Sequence, residues 1–211
     1  MSSINFIFIN GKGSCGKDTQ ADILLNKIGD KAIKLSTGDI YREAKEGIGV
    51  YGKYHSFIKP YVDLVDIRGG LLPDHVIVDI VKEIISEKIS EGIDTFIFTG
   101  FPRTLGQLEL MDKLLESIEN TVEHHIHFDI TDETSRARAK NRRENAIKHG
   151  LSVRPDDEES VVERRLNTFK KLTYPMLLNL DMENRLINID AEENIVEVER
   201  ETSLYFSKER L

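Results

Sequence analysis

Short, unbroken apolar runs alternate along this chain with longer stretches in which apolar residues recur every three or four positions. The runs are "INFIFI" (4–9), "AIKLS" (32–36), "TFIFTG" (95–100), "VEHHIHFDI" (122–130) and "RLINID" (185–190). Runs of this length, rich in Ile, Val and Phe, predict strands buried on both faces. Between the first two, Ala21, Leu24, Leu25 and Ile28 follow a helical period that Gly29 ends. Val76, Ile77, Ile80, Val81, Ile84, Ile85 and Ile89 predict a helix between Pro73 and Glu91. Leu108, Met111, Leu115 and Ile118 mark another, and further helices are expected over 132–149, over 157–174 up to Pro175, and over 194–208. Alternation of this kind implies parallel strands joined by helical crossovers, an α/β sheet covered on both faces.

Two segments fit the alternation badly. Residues 45–72 carry Gly47, Gly49, Gly52, Pro60, Gly69 and Gly70 with no clear strand, and read as a lobe inserted after the second strand. Residues 144–156 are polar, end in Arg154-Pro155, and read as a flap. Both could be ordinary surface loops, but the first exceeds the roughly 12–15 residues beyond which structureless loops become uncommon.

Composition narrows the classes. A chain of 211 residues suits one domain, with or without inserted lobes. Cys15 is the only cysteine, so no intrachain disulfide can form and a reducing compartment is expected. The N-terminus lacks a basic leader, and no stretch approaches the ~20 apolar residues of a membrane span, so a cytosolic location is expected. A net charge of −8 argues against a nucleic-acid backbone as the main partner. Residues 136–154 nevertheless hold seven Lys or Arg against one acid, Glu144. A solvated helix face would explain them, and so would nucleic-acid contact, although the window holds no Phe, Tyr or Trp for stacking.

In an open parallel sheet, ligands sit beyond the carboxyl ends of the strands. The first three strands are followed by "GKGSCGKDTQ" (11–20), "STGD" (36–39) and "TGFPRT" (99–104), which gathers glycine, hydroxyl, acid and arginine at one rim. Gly11, Gly13 and Gly16 match the G-x-G-x-x-G dinucleotide fingerprint, while Gly11, Gly16 and Lys17 match the G-x-x-x-x-G-K phosphate loop. The dinucleotide reading gives Lys17 no role, leaves the arginines unexplained, and puts Asp39 past the spot expected for a ribose-binding acid. In the phosphate-loop reading, main-chain N–H groups and a helix N-terminus cradle phosphates, and Lys17 brings a charge to the outer ones. Arg138 and Arg142 share one helix face, Arg103 sits in the rim, Arg42 follows Asp39, and Arg154 and Arg165 flank the start of the 157–174 helix. Guanidinium groups suit phosphoryl transfer, where charge spreads over three oxygens. Arg136, Arg143 and Arg164 are better read as surface ion pairs. His125 and His127 share one strand face, with His124 adjacent, but no third ligand is evident for a metal, and Cys15 reads as a small residue fitting a tight loop.

The segments "GKGSCGKDTQA" (11–21), "LSTGDIYRE" (35–43), "GLLPD" (70–74), "GFPRT" with Gln107, "FDITDE" (128–133), "RAKNRR" (138–143) and "RPDDEE" through "RRL" (154–166) together resemble the adenylate kinase family of nucleoside monophosphate kinases. The resemblance implies Mg²⁺-dependent transfer of the γ-phosphoryl of ATP to a nucleoside monophosphate, with AMP favoured by "GFPRT" and Gln107 over UMP or CMP. It implies a five-stranded parallel P-loop core, three-layered, with two mobile inserts: a monophosphate-binding insert at about 37–72 and a short lid at about 143–155. Gly11, Gly13, Ser14, Cys15, Gly16, Lys17, Asp18 and Thr19, with Arg138 and Arg142, would hold ATP. Thr37, Arg42, Leu72, Gly100, Arg103 and Gln107, with Arg154 and Arg165, would hold the monophosphate. Lys17, Arg103, Arg142, Arg154 and Arg165 would act in catalysis, and Asp39 would orient water on Mg²⁺. The cysteine-free lid excludes a structural zinc. A monomer without membrane or nucleic-acid partners is expected.

The chain departs from the family pattern at several places. Thr99 stands where the family usually has Asp, and Asp18 where it usually has Gly. Asp18 could replace the missing acid near the metal, or point away as an N-terminal helix acid. Gly13 and Ser14 replace a Pro-Gly pair, Gly70 stands where Lys is common, and the stretch from Lys53 to Gly69 is longer than usual. A non-catalytic nucleotide sensor is the rival that Thr99 and Asp18 would mark.

Overall fold

The computed structural model describes residues 3–209. Within them the expected strands form one five-stranded, all-parallel sheet in the order β2-β3-β1-β4-β5. The strands are β1 (Ile4–Gly11), β2 (Ala32–Ser36), β3 (Thr95–Thr99), β4 (Thr121–Asp129) and β5 (Leu186–Asp190). β1 lies centrally because its "FIFI" alternation buries both faces completely. On one face Phe6 and Phe8 stack on Phe96 and Phe98, with ring centroids 5.2 Å apart in each pair, because the register sets Phe6 beside Phe96 and Phe8 beside Phe98. On the other, Ile7, Ile9, Ile97, Ile126, Phe128 and Ile189 form a second core.

The helix α1 (Lys17–Ile28) covers the Ile-rich face and stops at Gly29, whose φ of 86° a side chain would resist. Residues 37–46 form a helix, α2 (Thr37–Glu46), that the periodicity did not mark. Its signals are at its ends: the Ser36 hydroxyl accepts from the Asp39 N–H at 3.3 Å, and Gly47 closes it with a left-handed φ of 66°. The lobe then runs through α3 (His55–Ile58) and α4 (Val62–Asp66) with 3₁₀ turns and no strand, as expected. The long amphipathic helix α5 (Asp74–Ser90) packs Val76 to Ile85 against the phenylalanine face, and α6 (Leu105–Glu116) follows β3.

Helix α7 (Asp132–Lys148) starts from a Thr131 cap. The expected helix ending at Pro175 is corrected. It is α8 (Glu159–Thr168), a π-helical turn (Phe169–Thr173) and α9 (Tyr174–Met182), so the chain stays helical through the proline. Pro175 lacks an N–H and would crowd the carbonyl four residues before it. The wider π turn moves that carbonyl away, and the proline falls in the first turn of α9. α10 (Ile195–Glu209) closes the described chain over the Ile-rich face through Val198 and Phe206.

The β4 histidines are core residues. His125 stacks on Phe8 with centroids 4.8 Å apart, and His124 bonds the Tyr205 hydroxyl at 2.8 Å. His127 is 5% exposed and its Nδ1 bonds Asn188 Oδ1 at 3.0 Å. Burial pushes its pKa below the usual histidine value; Asn188 and Asp129 oppose this weakly, and Lys12 adds to it. Because the folded value lies below the unfolded one, ~6.5, the neutral ring's contribution is complete above that pH and is lost as pH falls through and below it. The unfolding free energy, followed by urea unfolding, is therefore expected to drop on acidification below about pH 6.5, by up to ~1.4 kcal/mol per pH unit. His127→Gln should flatten that part of the profile.

Candidate active site

The rim expected at the strand carboxyl ends is present. The register pairs Thr99 with both Ile9 and Ser36, which brings the loops after β1, β2 and β3 side by side. The loop after β1 folds around two unusual positions. Ser14 adopts φ 63°, and Gly11 adopts φ 154° with no room for a side chain, since a Cβ there would lie 2.6 Å from both Cys15 Sγ and the Phe128 carbonyl. Cys15 is thus buried beneath the loop as the small packing residue expected. The Ser135 hydroxyl fixes the far side by donating to the Gly13 carbonyl at 2.8 Å. Lys12 donates to the Ile130 carbonyl and pairs with Asp132 at 3.2 Å. Lys17 begins α1 almost buried, its ammonium 3.5 Å from the Lys12 carbonyl, and Thr19 two residues on is exposed.

The loop after β3 presents Arg103. Its Nε donates to the Gly100 carbonyl, its backbone N–H donates to Gln107 Oε1 at 2.7 Å, and Gln107 is buried. Thr37 donates to the same Gly100 carbonyl at 3.1 Å, which ties the start of α2 to this loop. Gly100 has φ 67°, and a Cβ on it would fall 2.7 Å from the Arg103 guanidinium, so glycine here gives the arginine its place. Among the described residues no carboxylate forms an ion pair with Arg103. Burial, then the like charges of Arg165 and Arg42, push its pKa down to about 10; Asp156 and Asp18 oppose them. At neutral pH it keeps its charge, held where cations outnumber anions.

Asp156 is the anion that partly offsets this excess. Its carboxylate lies 2.9 Å from Arg165 and 3.8 Å from Arg42, and so links α8 to α2. Arg42 also pairs with Asp39. Beside them the fully enclosed Asp157 carboxylate takes both prongs of Arg142, Nε at 2.8 Å, while Arg142 reaches the Ser14 hydroxyl at 3.3 Å. That pairing raises the Arg142 pKa above its ordinary value. Arg138 donates to the Ala191 and Glu192 carbonyls at 2.9 and 3.2 Å. With Arg142 and Arg154 it lines an open cavity of about 540 Å³ between α7 and residues 149–157.

The sequence-derived candidates thus divide. Arg42, Arg103 and Arg165 gather around Asp156, and Arg142 joins Ser14. Arg154 does not enter this group: it is exposed, caps the turn at 155–157, and has no ion pair among the described residues. Leu72 is packed in the core beneath the lobe. Arg136 and Arg143 are the surface ion pairs expected, to Glu163 and Glu158, whereas Arg164 has no such pair among the described residues and lies against Gly69. Sequence reasoning gave no role to Asp156, Asp157, Lys12 or Ser135. The paired acids directly after Arg154-Pro155 were the available signal for the first two; nothing local marked Ser135.

Asp18 opens the first turn of α1, accessible to solvent. Burial alone would raise its pKa, but Lys17, the neighbouring Thr99 hydroxyl, Lys34 and Arg103 outweigh that and hold it below the usual aspartate range. The Thr99 side chain is 2% exposed and its hydroxyl has no hydrogen-bond partner. Among the described residues no group of three or more His, Cys, Asp or Glu is placed to hold a metal by itself, and no helix is long and apolar enough to cross a membrane.

Comparison with known proteins adds an independent line. A family model described as adenylate kinase matches residues 9–184. The chain is 34% identical over 171 residues to an adenylate kinase of Jannaschia sp. strain CCS1, covering 81% of this chain and 83% of that one. It is 31% identical over 184 residues to one of Nitrobacter winogradskyi, covering 86% and 82%. It is 33% identical over 171 residues to one of Thermus thermophilus, covering 81% and 80%.

Proposed function

This chain belongs to the adenylate kinase family, and from that membership and the geometry of its rim we propose how it carries out ATP-dependent phosphoryl transfer to AMP, giving two ADP. The observation that supports the assignment of roles is the cluster of Arg42, Arg103 and Arg165, which Asp39 and Asp156 offset only in part, at the rim that also carries the glycine-rich loop. Such a cluster costs stability unless polyanions are meant to enter it.

In this reading the loop 11–19 wraps the ATP phosphates through its N–H groups, and Lys17 moves from the Lys12 carbonyl to the transferred group. Arg142 and Arg138 hold ATP from α7. Arg42, Arg103 and Arg165 grip the AMP phosphate and the migrating phosphoryl group; Gln107 and Thr37 keep Arg103 and Gly100 in place. The segments 37–72 and 143–155 act as mobile covers that exclude water, so that ATP is not hydrolysed, and they bring Arg154 inward on closing. The donor set suits Mg²⁺, a hard cation that prefers carboxylate, hydroxyl and water oxygens: Asp18 and Asp39 offer carboxylates and Thr99 an orphaned buried hydroxyl. When bound, Mg²⁺ would supply positive charge that offsets the charge on the phosphates. A cytoplasmic monomer serving nucleotide supply, with no membrane or nucleic-acid partner, completes the proposal.

The test is to incubate the protein with ATP, Mg²⁺ and, separately, AMP, UMP, CMP, GMP and dTMP, and to measure diphosphate formation. AMP is expected to be the acceptor by a wide margin, with little ATP loss when no acceptor is present. Absence of ADP formation with AMP would sink the assignment and favour a nucleotide sensor.

A further inference from the structure

Asp18 is at odds with its surroundings. It stands directly after the phosphate-loop lysine, in a loop whose N–H groups and helix N-terminus are built for polyanions. A carboxylate there opposes the ligand that the loop favours. The generic phosphate loop puts a Ser or Thr hydroxyl at this position, on the cation that accompanies the phosphates.

Three observations place Asp18 toward the site rather than along an outer helix face. Its charge is felt by Lys17 and Arg103 and extends to Arg142. Its neighbour Thr99, at the end of β3, carries a buried hydroxyl with no hydrogen-bond partner. Among the described residues no Lys or Arg lies within ion-pair distance of Asp18, whereas Asp39, Asp156 and Asp157 are each bound to arginine. Among the described residues, then, Asp18 is a rim carboxylate surrounded by cations but within ion-pair distance of none, beside a hydroxyl with no hydrogen-bond partner.

Building on the phosphotransferase reading above, we infer that Asp18, with the Thr99 hydroxyl beside it, is a divalent-cation ligand that makes nucleotide binding depend on the metal. Without the cation, Asp18 repels the polyphosphate. With it, the same charge becomes an attachment point, so the site discriminates between the bare nucleotide and its metal complex. A phosphate loop with a neutral residue at this position has the attraction without the repulsion.

The experiment is calorimetric titration of the full-length protein with ADP, in EDTA and in Mg²⁺, for the unmodified chain, Asp18→Asn and Asp18→Gly. Both substitutions lie on an accessible first turn, and Asp18→Asn keeps the shape of the side chain. In EDTA the variants are expected to bind ADP about tenfold more tightly than the unmodified chain, and in Mg²⁺ about tenfold more weakly. At the same concentrations the Mn²⁺–ADP complex should give a broadened, protein-bound EPR signal with the unmodified chain and a smaller bound fraction with both variants. A change in the same direction under both conditions, or no change, overturns the inference. If the unmodified chain fails to bind ADP under either condition, the nucleotide-site reading itself fails, and the inference with it.

Discussion

Arg103→Ala is expected to lower kcat/KM for AMP phosphorylation by about 10³–10⁵, without loss of stability. The first half follows from its place. Arg103 rises from the β3 loop among Arg42 and Arg165 with no carboxylate paired to it among the described residues; its guanidinium is held by the Gly100 carbonyl and its backbone N–H by Gln107. A charge that stabilises a migrating phosphoryl group contributes roughly 4–7 kcal/mol. The second half follows from its strain. Burial first, and then the like charges of Arg165 and Arg42, push its pKa down to about 10, so removing it relieves both a desolvation cost and repulsion in the ligand-free fold. Steady-state kinetics with ATP and AMP, run beside urea unfolding, test both halves. A tenfold or smaller fall in kcat/KM would remove Arg103 from the transfer machinery, and a marked fall in the urea midpoint would show that it serves the fold.

Arg142→Ala should behave differently, losing activity by a comparable factor and also destabilising the protein. Its guanidinium is the partner of the enclosed Asp157 carboxylate, 1% exposed. Removing one side of such a pair costs about 3–5 kcal/mol when both groups are buried. Arg142 is 40% exposed, so the lower end of that range is expected. The double variant Arg142→Ala/Asp157→Ala should recover most of the stability and none of the activity, because only the stranded buried charge is relieved. Equal stability of the single and double variants would show that the stranded Asp157 carboxylate does not destabilise the fold. Recovery of activity in the double variant would show that Arg142 acts by holding residues 155–157 and not by contacting ATP.

The parts of the fold legible in the sequence were those governed by burial on both faces. β1 and β3 are unbroken apolar runs because helices cover each side, and α5 announces itself through its isoleucines and valines at helical spacing. α2 was not legible from periodicity because Ile40 and Ala44 are its only buried residues among its described positions; its evidence was the Ser36 cap and the Gly47 stop, which read instead as part of the rim and of the lobe. Pro175 misled because a proline inside a helix normally ends it, and nothing local announces the π turn that admits it. In the site, glycines and arginines could be found by motif and by their position after strands. Which arginine is paired, and with what, could not. The fates of Arg154 and Arg142 depend on how residues 149–157 fold back over α7, and side-chain spacing along the chain carries no record of that.

The Asp156 carboxylate, set between Arg165 and Arg42, bears on how the enzyme turns over. On the proposed reading of the site, an arriving phosphate would meet cations already holding a carboxylate, and would displace it until the product leaves. Each ionic contact made on entry is therefore exchanged for one broken, and the reverse exchange accompanies departure. Such a swap moderates affinity for both substrate and diphosphate, which suits a catalyst whose reaction runs readily in either direction and whose products must leave as easily as its reactants arrive.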